Sequence, residues 1–439
     1  DYVRVLCAGR VFPRKLLSTC ERERNTDRWL QSILSLPETL FEQTHHAISK
    51  SKRGAHLKWF AEEAELRLRN IRSTVSEYAP WSSLEFAGLR DDVNINTKLL
   101  DSIALQQLPQ FIDHLVRQID WVLQSQTKEQ NILYIRLRDQ LVKAKSSAER
   151  LVADLRTIAN TAYQLAEAMD FEILLNPRRK LLSVGFDVET RRLQSACYDL
   201  LGSESRTAAF VAIAKEDIPQ ESWFLLGRAH TLDEGRPVLL SWTGTMFEYL
   251  MPSLWMRTYP NTLLERSRSA AVRSQQTYAA RKGAPWGISE CAYYKLDEAG
   301  NYQYYAFGLP HLALRTQLNA LVISPYSTFL ALNTDPAGAL QNLHKMVELG
   351  WFGSHGFYEA ADFTSAKRKF WRGRPQLVKC WMAHHQGMSF LALANFLNDN
   401  IVQKWFHAER RVQATELLLH EKPVAHVRRK DVPRRLIAA

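Results

Sequence analysis

The sequence predicts a mostly helical protein, and two features of its 439 residues support this. Over long stretches, apolar residues recur at intervals of three and four, as the buried face of an amphipathic helix requires. In the second half of the chain, such stretches alternate with loops rich in glycine, proline, tryptophan and tyrosine. This alternation suits a toroid of paired helices whose loops form a site at one end, although periodicity alone does not distinguish it from a helical solenoid.

The first part of the chain, from about Asp27 to Met169, is predicted to form amphipathic helices with little punctuation. No catalytic residue types cluster there, so we expect a helical bundle or spacer. Two runs of apolar residues at helical spacing carry the prediction: Leu108, Phe111, Ile112, Leu115, Ile119 and Val122, and Ala148, Leu151, Val152, Leu155, Ile158, Ala162, Leu165 and Met169.

The pattern changes after Asp170, where the sequence predicts a short β-hairpin and then further helices. Apolar Leu182, Val184, Phe186 and Val188 alternate with polar or small residues, as in a half-buried strand, and a polar turn follows at 189–192. Helical stretches recur beyond it, at residues 198–215, 244–256, 261–282, 310–320, 325–333, 336–349, 382–397 and 410–419.

Composition and charge argue against several classes of protein. The apolar stretches are interrupted too often to span a bilayer as a helix, and five scattered cysteines favour neither a disulfide framework nor a zinc site. The net charge of +11 is concentrated near the two ends. These basic runs lack interleaved aromatic residues, which argues against nucleic-acid binding and leaves a solvated face or contact with a membrane surface. Because the chain starts at Asp1 without a targeting segment, we expect a fragment of a longer protein.

Three predicted loops combine aromatic and glycine residues with acids: residues 241–248, 285–290 and 353–362. A fourth, at 301–308, has aromatic residues and a glycine, and a fifth, at 382–388, has two histidines and a glycine. Flat aromatic faces stack on pyranose rings, and carboxylates supply acid and base chemistry at a glycosidic bond. Acids flanked by Trp and Tyr also occur as satisfied contacts in ordinary cores. The loops by themselves therefore favour a sugar site without establishing it.

The amino-acid sequences of these loops, and their order along the chain, resemble those of the cyclisation domain of cyclic β-1,2-glucan synthases. The sequence departs from the usual pattern at Cys291, where Ser is more common, and across His311 to Leu318, where the family has a glycine-rich stretch. The resemblance covers residues 165–420 and rests on Ala168-Met169-Asp170-Phe171, Gly244-Thr245-Met246-Phe247-Glu248, Trp286-Gly287-Ile288-Ser289-Glu290, Asn301-Tyr302-Gln303-Tyr304 and Ala383-His384-His385-Gln386-Gly387-Met388-Ser389.

The resemblance implies an (α/α)6 toroid over residues 165–425, with a short β-hairpin at its start, a helical linker at 1–164 and a basic tail at 426–439. In the family, a membrane-embedded part builds a linear β-1,2-glucan and this domain closes it by transglycosylation. The implied partners are the glucan chain and the remaining domains of one synthase polypeptide. The implied location is the cytoplasmic side of a bacterial inner membrane, and no cofactor is implied.

Glu290 and Glu359 are the candidate catalytic acids, with Glu290 as proton donor to the leaving oxygen and Glu359 as nucleophile. The alternatives are a structural or helix-terminal acid at 290 and substrate positioning at 359. A retaining pair predicts carboxyl groups about 5–5.5 Å apart, across a cleft lined by Trp242, Trp286 and Tyr304.

Further residues are candidates for substrate binding. Glu248 is alternatively a buried acid paired with an arginine such as Arg257, Asp362 a helix cap, and each aromatic ring a core residue. Adjacent histidines on a helix point about 100 degrees apart, so His384 and His385 do not suit a shared metal ion. The candidates are Trp242, Glu248, Trp286, Tyr304, Phe307, Tyr358, Asp362, His384, His385 and Gln386.

The expected mechanism is retaining. Cyclisation exchanges one β-1,2 bond for another without external energy, so the energy of the broken bond must be kept in a glycosyl-enzyme. Two rivals stay open: a β-1,2-glucan hydrolase, which admits water to the intermediate, and a non-catalytic glucan-binding or spacer module. The presence of both acids favours an enzyme over the module.

Overall fold

The computed structural model describes residues 28–36, 39–49, 54–90, 92–95, 103–125, 131–316, 318–353, 355–364 and 375–423. The chain divides into two compact units, Asp1–Met169 and Asp170–Ala439. It is mostly helical, as the sequence predicts. Both basic ends, and the tail expected at 426–439, lie outside the described residues.

The first unit is built from helices. The apolar face predicted for the helix Leu108–Ser125 is confirmed, because Phe111, Ile112, Leu115 and Ile119 are all buried. In the helix Ile132–Ala168, by contrast, the apolar side chains beyond Ala148 are largely exposed, and 63% of the surface of Ile158 is accessible. The helices are α1 (Arg28–Leu34), α2 (Thr39–Ser49), α3 (Gly54–Tyr78), α4 (Leu108–Ser125) and α5 (Ile132–Ala168), with 3-10 turns at Pro80–Ser82, Leu84–Leu89 and Leu105–Gln107.

The second unit combines short helices with antiparallel strands. Its helices are α6 (Arg206–Ala214), α7 (Glu221–Leu225), α8 (Met246–Leu250), α9 (Leu263–Lys282), α10 (Pro325–Leu330), α11 (Pro336–Glu348), α12 (Ala383–Leu397), α13 (Ile401–Phe406) and α14 (Arg410–Thr415), with 3-10 turns at Glu172–Leu174, Met251–Leu254 and Glu416–His420. Its strands are β1 (Leu175–Asn176), β2 (Leu181–Leu182), β3 (Phe186–Asp187), β4 (Arg192–Leu193), β5 (His230–Asp233), β6 (Arg236–Leu239), β7 (Glu290–Leu296), β8 (Tyr302–Ala306), β9 (Val322–Ile323), β10 (Phe352–Gly353), β11 (Gly356–Phe357), β12 (Ala360–Asp362) and β13 (Gln376–Val378).

The strands pair locally. Five two-stranded antiparallel pairs join neighbours in sequence (β1–β2, β3–β4, β5–β6, β7–β8 and β10–β11), and one three-stranded sheet has the order β13-β12-β9. The strand predicted through Leu182 to Val188 is interrupted in the structure: Leu182 pairs with Leu175 in β1–β2, Ser183 forms a bridge with Cys197, and Phe186 pairs with Leu193. The turn that joins β3 and β4 lies at residues 188–191, one position before the predicted turn.

Helix ends in the second unit follow local chemistry. α9 begins after Thr262, whose hydroxyl accepts a hydrogen bond from Glu265 N, and it ends at Gly283 in the left-handed region (φ 67°). α11 begins with Pro336 after the capping side chain of Asp335. Sequence signals therefore located these two helices closely.

One predicted helix, at residues 310–320, is absent from the residues that the structure describes there. Its backbone is engaged elsewhere: Leu314 N donates to Ser241 O, Arg315 N donates to Trp242 O, and Leu312 O accepts from Ser241 N. These bonds hold the segment extended beside the loop that contains Trp242, so its carbonyl and N–H groups are not free for helical pairing.

The loop that begins at Ser241 is fixed by a close backbone approach at Gly308. A Cβ placed on Gly308 would lie 1.8 Å from Thr243 O and 2.5 Å from the carbonyl carbon of Gly244. Gly244 itself has φ 73°, and its carbonyl accepts a hydrogen bond from Leu309 N at 3.0 Å. Only glycine allows this contact.

We predict that Gly308→Ala destabilises the protein by at least about 3 kcal/mol, because the added methyl group would collide with rigid backbone rather than with a movable side chain. Gly387→Ala is the matched control, since open space surrounds the Cβ position of Gly387 on α12. The control should raise stability by about 0.5–1 kcal/mol through helix propensity. Urea unfolding followed by circular dichroism measures both, and equal effects would contradict the packing argument.

Candidate active site

Glu290 is the first residue of β7 and lies at the base of the β7–β8 hairpin. Tyr304 on β8 pairs directly with Ala292, two residues along from Glu290. Side chains two apart on a strand share one face, as do directly paired residues, so Glu290 and Tyr304 are diagonal neighbours on the same face. The Tyr304 hydroxyl donates to Glu290 Oε1 at 2.9 Å.

The loop that the sequence predicted at 301–308 is wrong, because Tyr302–Ala306 forms β8, whereas the residues predicted as a loop at 285–290 contain neither helix nor strand before Glu290. The segment is rich in tyrosine, which suits a pleated and half-buried surface. Its turn is closed by Asp297, whose carboxylate accepts from Ala299 N and Asn301 N. The register shifts between Ala292 and Leu296, so a bulge separates the turn from the base that contains Glu290.

Glu359 immediately precedes β12, the central strand of the three-stranded sheet. Its backbone is held on both sides: the N–H donates to Cys380 O at 3.1 Å, and the carbonyl accepts from Ser324 Oγ at 2.7 Å. Its carboxylate is 99% buried. Glu359 Oε1 accepts from Ala292 N on β7 at 3.3 Å, which brings this acid to the strand of Glu290.

A hydrogen-bonded chain connects the two acids. His385 on α12 is buried, with Nδ1 at 2.8 Å from Glu359 Oε1 and Nε2 at 3.3 Å from the Tyr304 hydroxyl. The hydroxyl in turn bonds Glu290. The residues predicted to be catalytic are thus two side chains apart, and their expected spacing of about 5–5.5 Å stays a prediction.

Tyr326 on α10 contacts two members of this hydrogen-bonded chain, His385 and Glu290. Its ring stacks on that of His385, with centroids 3.7 Å apart and planes 8° apart. Its hydroxyl donates to the Glu290 carbonyl at 3.0 Å and contacts Ser289 Oγ at 2.9 Å. The sequence did not single out Tyr326, because it stands in an apolar helical stretch without an acid or a glycine beside it.

Burial governs the charge of Glu290. Removal from water raises the pKa of Glu290, the Tyr304 hydrogen bond opposes this shift, and the negative charge of Glu204 adds to it. Burial also raises the pKa of Glu204, with a further contribution from Glu248. A raised pKa favours the protonated form of Glu290, which is the form that a general acid needs.

Glu204 is a candidate that sequence reasoning missed. It lies just before α6, where Ser203 Oγ donates to its Oε2 at 3.0 Å. The adjacent Arg206 is buried and donates to the carbonyls of Glu248 and Tyr249, which draws this segment against α8. Gly202 stands two residues before Glu204, but the nearest aromatic residues, Tyr198 and Phe210, are six positions away.

Glu248 is a buried acid with many donors. Its carboxylate accepts from Ser241 Oγ at 2.9 Å, from Thr243 N at 3.1 Å and from Thr245 N at 2.9 Å, and it completes a capping box at the start of α8. Arg257 instead pairs with Glu416, so the alternative of a Glu248–Arg257 ion pair is wrong.

The predicted sugar-stacking rings differ in accessibility. Tyr304 is 42% exposed, and Trp242 is half-buried with the Arg315 guanidinium 4.9 Å above its ring. Trp286 and Phe307 belong to the hydrophobic core, at 8% and 2% exposure. A buried ring offers no open face to a sugar, so the structure contradicts a stacking role for these two.

Trp286 instead lines a separate cavity of about 430 Å³ together with Gln276, Asp335, Asn342 and Lys345. Asn342 holds the backbone on both sides of this ring, since Trp286 N donates to its amide oxygen and Trp286 O accepts from its amide nitrogen. The sequence predicted that Trp286 lines the cleft between Glu290 and Glu359, and the structure does not show this arrangement.

The remaining candidates surround His385 and Glu359. His384 and Gln386 are exposed at the start of α12. Partial removal of the His384 ring from water, together with the charge of His385, lowers the pKa of His384. Tyr358 is half-buried beside Trp381, with ring centroids 5.5 Å apart. Asp362 ends β12 and accepts from Tyr294 N and Thr364 N, so it ties β12 to β7.

Two features bear on metals and membranes. Among the residues that the structure describes, no three His, Cys, Asp or Glu side chains are grouped as a metal site would need. In the same part of the chain, no helix combines the length and apolar character that a membrane crossing requires.

Similarity to known proteins agrees with this geometry. Residues 198–410, which contain both acids, match the family model described as putative glucoamylase. Over 280 residues the chain is 42% identical to the cyclic β-(1,2)-glucan synthase NdvB of Rhizobium meliloti strain 1021. The predicted resemblance is confirmed. The match to this synthase covers 62% of the chain and only 10% of NdvB.

Two solved structures are similar in their chain trace. An endo-β-1,2-glucanase from Chitinophaga pinensis, in complex with sophorotriose and glucose, has a TM-score of 0.44 and 16% identity, covering 89% of this chain and 87% of its own. A β-1,2-glucanase from Parabacteroides distasonis has a TM-score of 0.43 and 12% identity, covering 86% of this chain and 54% of its own.

We predict that Glu248→Gln lowers the free energy of unfolding by about 2–3 kcal/mol, since the donors around Glu248 lose a charged acceptor. Glu298→Gln, at the exposed tip of the hairpin, should change it by less than about 0.5 kcal/mol. Thermal and urea unfolding of both variants measure the difference. Full stability with lost turnover of glucan would instead make Glu248 a participant in the chemistry.

Proposed function

We propose that this chain cyclises linear β-1,2-glucan by an anomer-retaining double displacement, with Glu359 as nucleophile and Glu290 as acid and base. The observation that carries the proposal is the hydrogen-bonded chain that joins these carboxyl groups through Tyr304 and His385. The similarity to NdvB supports β-1,2-glucan as the substrate class.

The surroundings of the two acids suit different roles. Burial raises the pKa of Glu290, which favours the protonated carboxyl that would donate to the leaving glycosidic oxygen. Glu359 accepts hydrogen bonds from a ring nitrogen of His385 and from Ala292 N, which fix the direction of its carboxylate. Because this side chain is 1% exposed, substrate binding must open access to it before it attacks an anomeric carbon.

In the first displacement, a Glu359 oxygen bonds to the anomeric carbon while the glycosidic bond breaks, and the leaving oxygen takes the proton of Glu290. In the second, ionised Glu290 removes the proton of an acceptor 2-hydroxyl. The oxygen of that hydroxyl attacks the same anomeric carbon, and the bond to Glu359 breaks. Each step inverts the carbon once, so the β configuration is retained. When the acceptor is the far end of the same chain, the product is a ring.

The wider context is also part of the proposal. We take residues 165–425 to form the (α/α)6 toroid of this enzyme, and its partners to be a glucan chain and further domains of a synthase at the cytoplasmic side of a bacterial inner membrane. The low coverage of NdvB leaves most of such a synthase outside this chain.

We predict that incubation of the chain with linear β-1,2-glucan yields products lighter by one water than linear glucans of equal length. Mass spectrometry measures this, and boiled protein is the control. Shorter linear products alone would favour a hydrolase, whereas an unchanged substrate would favour a binding module and contradict the proposal.

We predict different behaviour for the two acid variants. Glu359→Ala should lose turnover by at least about 10³-fold, and azide should restore it by direct attack to give an α-configured product. Glu290→Ala should be similarly slow on glucan but spare activated glycosides, whose leaving groups need little protonation, and azide should then give a β-configured product.

Nuclear magnetic resonance of the azide products reads the anomeric configuration in both variants. Opposite configurations would exchange the two roles. Unchanged activity in both variants would remove these residues from the mechanism, and Glu204 and Glu248 would be the next acids to test.

A further inference from the structure

We propose that Tyr304 is a hydrogen-bond switch between the two carboxyl groups, whose hydroxyl donates to His385 while Glu290 is protonated and turns to Glu290 when that acid ionises. This inference rests on the proposed function for its catalytic meaning. It gives Tyr304 a positioning role in place of the sugar stacking that the sequence suggested.

The geometry offers the hydroxyl two acceptors. Tyr304 Oη lies 2.9 Å from Glu290 Oε1 and 3.3 Å from His385 Nε2. A phenol has one O–H and can donate to one partner at a time. Burial and the negative charge of Glu290 raise the pKa of Tyr304, so the proton stays on its oxygen through the cycle. The switch therefore rotates a proton and transfers none.

His385 is held so that it can only accept from Tyr304. Its Nδ1 lies 2.8 Å from Glu359 Oε1, and the tautomer with the proton on Nδ1 satisfies that carboxylate. Nε2 then carries a lone pair that faces the Tyr304 hydroxyl. Stacking on Tyr326 and complete burial fix the plane of the ring, so Nε2 keeps its direction.

In each half-reaction, the charge states of Glu290 and Glu359 favour the same acceptor for the Tyr304 hydroxyl. Before the first displacement, Glu290 is neutral and ionised Glu359 makes the His385 ring a better acceptor. In the glycosyl-enzyme, Glu359 is a neutral ester and Glu290 is ionised. Because a charge-assisted hydrogen bond is roughly twice as strong as a neutral one, the hydroxyl then favours Glu290. Tyr304 thus stabilises ionised Glu290, the state that the first displacement produces and the second consumes.

The groups around Glu290 set the background against which the switch acts. Burial and the negative charges of Glu204 and Glu248 raise the pKa of Glu290, and the Tyr304 hydrogen bond lowers it. Tyr326 bonds the Glu290 carbonyl rather than its carboxylate. Within the described surroundings, Tyr304 is therefore the side chain whose hydrogen bond favours ionised Glu290.

Tyr304→Phe in the full chain tests the proposal directly. Tyr304 is 42% exposed, so removal of its hydroxyl should leave the fold intact. The pKa of Glu290, followed by ¹³C carboxyl titration and assigned with Glu290→Gln, should shift upward by about one pH unit, the size expected for loss of a hydrogen bond to a charged group. Tyr294→Phe, 47% exposed on the same hairpin, is the matched control and should leave that pKa unchanged.

Kinetics supply the second measurement. In Tyr304→Phe the alkaline limb of the pH profile should move upward with the pKa of Glu290. Formation of the glycosyl-enzyme should slow by about tenfold relative to transfer from it, because Glu290 with a raised pKa is a weaker acid and a stronger base, so the covalent intermediate should accumulate less in mass spectra than in the parent chain. A structural role alone would lower activity without moving the limb.

The outcomes separate this inference from the proposed function. The carboxyl titration needs no turnover, so an upward pKa shift in a chain inactive on β-1,2-glucan would retain the hydrogen bond and reject the function. An active chain in which Tyr304→Phe leaves the titration of Glu290 unchanged would reject the switch. An equal shift in Tyr294→Phe would also reject it.

Discussion

The buried hydrogen bond between His385 and Glu359 is the contact on which the rest of the site depends. It joins the start of α12 to the three-stranded sheet, with both side chains almost entirely removed from water. A buried carboxylate without a partner costs several kcal/mol, on the order of 3–5 when one partner of a pair is removed. The positions of Tyr326, Tyr304 and Glu290 all follow from the plane in which this histidine is held.

Glu248 and Glu290 show how surroundings give one residue type two fates. Glu248 is surrounded by hydroxyl and backbone donors from a single loop, and the start of α8 depends on it. Glu290 has one side-chain donor, Tyr304. Burial raises the pKa of Glu290, and the negative charges of Glu204 and Glu248 add to this shift. A fully satisfied carboxylate is a structural part, whereas a partly satisfied one retains capacity for chemistry.

Periodicity and caps located much of the helical architecture. The stripe on α4, the Thr262 cap of α9 and Asp335–Pro336 before α11 are local signals, because they depend on residues within a few positions. The region at 310–320 shows the limit. Its helical spacing was overridden by backbone bonds to Ser241 and Trp242, which are about 70 residues away and invisible to a local pattern.

The same limit applies to the site. The resemblance and the search for a second carboxylate made Glu290, Glu359 and His385 candidates, and the structure brings these three together. The sequence could not tell that Trp286 and Phe307 face the core, since the direction of a side chain on a strand or loop depends on the register. Tyr326 and Glu204 were missed because each comes to the site from an element whose own sequence is unremarkable.

The bulge in the β7–β8 hairpin has an evolutionary consequence. A one-residue slip at the base would move Tyr304 to the other face and bring Tyr305 in its place, so the pairing of Ala292 with Tyr304 tolerates no insertion. The bulge lies between this base and the turn closed by Asp297, and it can absorb a change of length. Descendants of this chain should therefore be free to lengthen the outer turn, while the pairing that places Tyr304 beside Glu290 is inherited unaltered.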